Sequence, residues 1–145
     1  MRKRFVIKLD GMEGTMHELL KRGDAVNAIL EVAVHAGAAV IQEIADANAP
    51  RGGSVVKQTT KRKPASVIVD IGPDREHWFY KFFETGATEH EITGNPLVFR
   101  GDAGIVVVRS VDHPGMVASP FLRPALDGQK DNAAAEVGRV LKTQL

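Results

Sequence analysis

One stretch of this chain leaves little choice of local structure. Val26, Leu30, Ala33, Gly37, Val40 and Ile44 recur at helical spacing, and Val34, Ile41 and Ala45 widen the same apolar face. The spacing predicts a helix over about residues 25–48, capped by Asp24 and stopped by Pro50, because the residue before a proline disfavours helical geometry. Asn27, Glu31, His35, Gln42 and Asp46 form a narrow polar stripe on the opposite side. A helix this apolar around most of its circumference must be covered on more than one side, and Val40 and Ile44 are expected under a sheet. The small residues Ala36, Gly37, Ala38 and Ala39 would let another backbone approach closely.

Around this helix the remaining segments read as a small α+β domain. Alternation predicts strands at Arg4–Asp10 and Ser66–Ile71, and a hairpin from Leu97–Arg100 and Ile105–Val111 joined by Gly101-Asp-Ala-Gly104. A capping-box spacing at Thr15–Glu18 predicts a short helix over Met16–Arg22. Arg75–Glu84 reads as a short helix carrying Trp78, Phe79, Tyr80, Phe82 and Phe83, with Gly86 as its stop. At that spacing Trp78, Phe82 and Phe79 are expected in the core, leaving Tyr80 and Phe83 for the surface or a neighbour. A final helix starts near Ser119-Pro120, with Leu122, Leu126, Ala133, Val137, Val140 and Leu141 as loosely periodic apolar positions and Gly128 as a candidate break. The expected architecture is a mostly antiparallel sheet of about four strands packed on one long helix, with the C-terminal helix completing the layer. At 145 residues the chain fits a single domain.

Composition narrows the chemistry. The chain has no cysteine, which excludes a disulfide scaffold, a thiolate nucleophile and any cysteine-ligated metal. No uninterrupted apolar run reaches the length of a bilayer span, and the apolar stretch after Met1-Arg2-Lys3-Arg4 is too short for a signal peptide. The net charge of +1 hides blocks of opposite sign. Residues 11–50 carry −4, residues 51–63 carry +5 and residues 64–99 carry −4. Such alternation suits self-association, in which the basic segment of one copy meets an acidic face of another. The basic block consists of Arg51, Lys57, Lys61, Arg62 and Lys63, and residues 51–65 read as a mobile loop. These bases could grip a phosphate backbone, but no aromatic is interleaved to stack on bases.

No catalytic constellation emerges. Glu84, Glu89, His90, Glu91 and His113 have metal-ligand side chains, but their spacing fits no metal template. His35 follows Glu31 by four residues on the polar stripe and reads as a surface or interface histidine. There is no GxSxG elbow and no glycine-rich phosphate loop. The expectation is therefore of no catalytic residue, no metal and no cofactor.

Three segments in order carry a resemblance. The first is the Ala-rich helix ending in Asn48-Ala49-Pro50. The second runs from Ile71-Gly72-Pro73 to Trp78-Phe79-Tyr80-Lys81-Phe82-Phe83-Glu84-Thr85-Gly86. The third is Ala118-Ser119-Pro120-Phe121-Leu122-Arg123-Pro124-Ala125-Leu126. Together they resemble the head–tail joining, or tail-completion, proteins of long-tailed, lambda-like bacteriophages and prophages, whose most recognisable motif reads A-x-P-F-L-R-P-A-L. The sequence departs from that family at Arg51-Gly52-Gly53-Ser54, where the usual threonine and S-I strand start are missing.

The resemblance implies a non-enzymatic subunit of a ring, with six copies expected from tail symmetry or twelve from portal symmetry, at the neck or tail end of the virion. Its partners would be further copies of itself, adjacent neck or connector proteins and tail-tube proteins, with DNA in the lumen and no membrane. It would reach the virion from the host cytoplasm during assembly. The bases of residues 51–63 would then dock on a neighbour's Glu84, Glu89 and Glu91 or on DNA. Pro120 and Pro124 would stiffen the entry to the last helix, Phe121 and Leu122 would anchor it, and Arg123 would pair with Glu84.

Overall fold

In the computed structural model, residues 24–51, 54–63 and 66–144 are described, with the side chains of Asp24 and Ala25 excepted. The fold is α+β, with four antiparallel strands, a long helix and a C-terminal helix, as the sequence leads one to expect. The elements are α1 (Asp24–Ala47), β1 (Val56–Lys63), β2 (Ser66–Pro73), a 3-10 turn (Trp78–Tyr80), α2 (Lys81–Thr85), β3 (His90–Gly101), β4 (Gly104–His113) and α3 (Leu122–Gln144). The strands fall into two two-stranded sheets, β1–β2 and β3–β4. The expected strand at Arg4–Asp10 and helix at Met16–Arg22 lie outside the described residues. The described residues divide into two compact units, one made of those up to Trp78 together with those from Pro120 onward, the other of Phe79–Ser119.

In the first unit α1 is covered by α3 and by the β1–β2 hairpin. The close approach is made at Gly37: a Cβ there would lie 2.5 Å from Val137 Cγ2 and 2.8 Å from the Ala133 carbonyl oxygen. Only glycine lets the two helices come this near. Ala33, Val137, Val140 and Leu141 pack together along the seam, with Ile29 and Ala36 against them. α3 runs unbroken through Gly128, where a side chain would meet open space.

The rest of this unit's core comes from Val26, Leu30, Val34, Ala38, Ile41 and Ala45 of α1, Ala49 and Val55 between α1 and β1, Val56, Val69 and Ile71 of the hairpin, and Phe121 and Ala125. Val40 and Ile44 are a correction to the sequence reading, since Val40 is half-buried and Ile44 exposed. The buried arc is centred between the α3 contact and the hairpin contact, so the row one residue further on, Ile41 and Ala45, takes the interior. α1 is also long and apolar enough to cross a membrane by length and composition, which corrects the expectation drawn from uninterrupted runs. Here its polar stripe is hydrogen-bonded to β1.

Residues 56–63, expected within a mobile loop, form strand β1 instead. They pair with β2 in a register that sets Gln58 opposite Ile71, Thr60 opposite Val69 and Arg62 opposite Val67.

In the second unit the aromatic segment is also corrected. It is a 3-10 turn followed by one and a half turns of helix, not a single helix. Tyr80 is buried and tilted against Phe79 at 5.2 Å and Phe83 at 5.1 Å, while Phe79 and Phe82 are exposed. In the first unit Trp78 is exposed too. The tighter winding rotates the side chains away from the α-helical spacing on which the expectation rested. Gly86 ends α2 as expected, at φ 71° with its N–H donating to the Phe82 carbonyl at 2.7 Å. The β3–β4 hairpin is longer than alternation suggests, reaching from His90 to His113 with a register shift between Thr93 and Leu97.

Candidate functional site

The basic segment gains its structure from the polar stripe of α1. Asp46 Oδ1 accepts the backbone N–H groups of Val55 at 2.9 Å and Val56 at 3.1 Å, fixing the start of β1. Beyond it a chain of side-chain hydrogen bonds runs along the helix–strand seam, and its polarity follows from one end. The Val56 carbonyl can only accept, so Gln42 presents its amide nitrogen there at 2.9 Å. The Gln42 oxygen then accepts from the Gln58 amide nitrogen at 2.7 Å. That turns the Gln58 oxygen to His35, whose Nδ1–H donates to it at 2.5 Å. With the ring neutral, His35 Nε2 is left to accept the Thr60 hydroxyl at 2.7 Å. His35 is therefore a structural link between helix and strand.

At the far end Arg62 grips Glu31 with two hydrogen bonds of 2.7 Å. This fork holds the Glu31 carboxyl below its ordinary value and raises the guanidinium in turn. Lys61 pairs with Asp70 of β2 at 2.7 Å. Arg62 and Lys61 thus have carboxylate partners within the chain. Alternation leaves Lys57, Thr59, Lys61 and Lys63 on the face of β1 turned away from that seam. Lys57 and Lys63 are exposed, and Arg51 is exposed at φ 67° before the strand.

The expected acidic dock is not a single exposed surface. Glu84 is buried in α2, whereas Glu89 and Glu91 are exposed. In the PFLRPAL segment Phe121 is 1% exposed and Leu122 opens α3. Pro124 falls in the first turn, where its missing N–H forfeits no helical bond. Arg123 lies 3.9 Å from Asp127 on its own helix, both largely exposed, an arrangement of little stabilising worth.

His90 and His113 are opposite each other in the β3–β4 register and stack at 5.1 Å. Among the described residues no three histidine, aspartate or glutamate side chains gather to hold a metal ion.

Two apolar surfaces were invisible to sequence reasoning. No residue of β3 or β4 is buried. On one face of this hairpin Ile105 is 78% exposed, Val98 61% and Val107 60%, with Ile92 and Val111 nearer the root. On the first unit, α1 exposes the row Ala28, Val32, Ala39 and Glu43, with Val32 57% exposed. A run such as Ile105-Val-Val-Val108 reads as a buried strand, and nothing in it signals exposure.

No family model matches the chain, and no curated protein or solved structure matches it either.

Proposed function

We propose that this chain is a non-enzymatic structural subunit of a bacteriophage neck or tail-end ring, a tail-completion or tail-terminator protein joining the DNA-filled head to the tail. The observation that carries the reading is the segment Ala118–Leu126, with its resemblance to the A-x-P-F-L-R-P-A-L motif of that family. The burial of Phe121 and Ala125 supports a structural role for the segment, with no ligand involved. A subunit that acts by assembling must also keep apolar surface open after it folds, and the faces on β3–β4 and α1 meet that need. Its partners are other copies of itself, the adjacent connector and tail-tube proteins, and DNA in the lumen. Its place is the virion, reached from the host cytoplasm.

The test is native mass spectrometry of the purified protein together with class averages of negatively stained particles. Closed rings of six or twelve copies are expected. A protein that remains monomeric at high concentration and is absent from virions refutes the reading.

A second reading is favoured by one observation, the alignment of Lys57, Lys61 and Lys63 on one face of β1. A nucleic-acid-binding module would use this row on phosphates, with Lys61 weakened by its bond to Asp70. Salt-dependent binding of duplex DNA by the monomer, abolished in Lys57→Glu/Lys63→Glu, would favour it over the ring.

A further inference from the structure

We propose that the Val98–Ile105–Val107 face of the β3–β4 hairpin docks on the outer row of helix α1, Ala28, Val32, Ala39 and Glu43, of a second copy of this chain. The proposal rests on the ring reading and names the contact that would build the ring.

Register fixes what each surface presents. On β4 the residues Ile105, Val107, Arg109, Val111 and His113 share a face, and their β3 partners include Arg100, Val98, Ile92 and His90. This face has an exposed apolar centre with Arg100 and Arg109 exposed beside it. It carries no carboxylate, because Glu91 and Asp112 pair on the opposite face and Asp102 sits in the turn.

Helix α1 is the opposite case. It carries no lysine or arginine, and with Glu31 held by Arg62 and Asp46 by the start of β1, Glu43 is the carboxylate that borders its outer row. That exposed row is built of small or β-branched apolar side chains and ends on Glu43. An apolar patch flanked by two exposed arginines thus has, on the same molecule, a matching apolar row that ends on an exposed carboxylate. Shape agrees with charge, since alanines at positions 28 and 39 let a strand lie close to the helix.

An isolated two-stranded hairpin is marginal in water, so a hairpin with no buried residue needs cover. The two patches are different, which makes the contact heterologous. Each copy offers its hairpin forward and its helix backward, and such a contact continues from copy to copy until it closes.

The decisive test uses Val107→Asp and Val32→Asp in the full chain, with circular dichroism and melting to show that each variant is folded and native mass spectrometry as the readout. The wild type is expected to assemble and each variant alone to be monomeric. Mixed in equal amounts, the two should give a one-to-one dimer, because the intact hairpin of the Val32→Asp copy can still dock on the intact helix of the Val107→Asp copy. Variants that assemble like the wild type overturn the proposal and leave the ring reading standing. Monomeric variants that fail to complement refute the pairing of these two surfaces. A wild type that stays monomeric at high concentration, or stops at a closed two-fold dimer, overturns this contact, and the ring reading falls with it when the protein is also absent from virions.

Should either variant fold poorly, charge reversal supplies the same decision. Arg100→Glu/Arg109→Glu should weaken assembly about tenfold, and adding Glu43→Arg should recover it. No recovery counts against the contact.

Discussion

Replacing Gly37 with alanine sets two effects of known sign against each other. In a solvent-exposed helix the change stabilises by about 1 kcal/mol. In α1 the new methyl carbon would lie 2.5 Å from Val137 Cγ2 and 2.8 Å from the Ala133 carbonyl oxygen. Carbon atoms in contact sit roughly 3.5–4.0 Å apart, so α3 would have to withdraw by about 1 Å. Neither neighbour can yield alone, because Val137 and Ala133 are fully buried and one of the contacts is main chain. Overpacking of this kind costs about 1–3 kcal/mol, which equals or outweighs the gain in propensity. The expected outcome is a net loss of up to about 2 kcal/mol in urea unfolding followed by circular dichroism, with an unchanged slope. The melting temperature should fall by roughly 3 °C per kcal/mol in a chain of this size. In a Val137→Ala background the same substitution should be less harmful by at least about 0.5 kcal/mol, since one of the two clashing groups is gone. A Gly37→Ala protein more stable than the wild type would refute the crossing of α1 and α3 at this point.

Other outcomes follow from the same geometry. Phe121→Ala should destabilise by about 3–5 kcal/mol in denaturant titration, as expected for a ring with no solvent contact. Ile41→Asp should cost several kcal/mol, roughly 3 or more, while Val32→Asp changes monomer stability little, because one charge would be buried and the other solvated. His35→Ala should leave Gln58 and Thr60 without their shared partner, lowering stability by about 1–2 kcal/mol and speeding amide exchange across β1 more than across α3. The lowered Glu31 carboxyl contributes stability that is fully present above its ordinary value of 4.5 and is lost as pH falls through the lowered value. Glu31→Gln should therefore flatten the acid limb of a melting-temperature profile.

The features that sequence reasoning recovers are those fixed by apolar periodicity and by small residues. α1 lies within one residue of its expected ends, and the small residues around Gly37 mark where α3 approaches. β1 escapes because its inward face is Gln58, Thr60 and Arg62, so the usual contrast between apolar and polar sides is missing. Its four positive charges read as solvent-loving, when in fact Arg62 is held by Glu31 of the helix stripe and Lys61 by Asp70 of β2. A weaker signal was present in Val55-Val56 and Thr59-Thr60, β-branched pairs that favour extended backbone. The aromatic segment fails for a different reason: a 3-10 turn changes the angle between side chains, and composition does not reveal winding. Exposure of the β3–β4 hairpin could not be read at all, since whether an apolar strand is covered depends on what it meets.

The hydrogen-bond chain from Thr60 through His35, Gln58 and Gln42 to the Val56 carbonyl constrains how this sequence can drift. Every link donates at one end and accepts at the other, in a direction set by a main-chain oxygen that no substitution can reverse. Putting an acceptor-only side chain at position 58 orphans the Gln42 oxygen, and a donor-only one there faces the donating nitrogen of His35. Single replacements are therefore each disfavoured while matched sets are not. Positions 35, 42, 58 and 60 should change together or not at all, and related chains that lose one of these polar links should have lost the others and filled the seam with hydrocarbon.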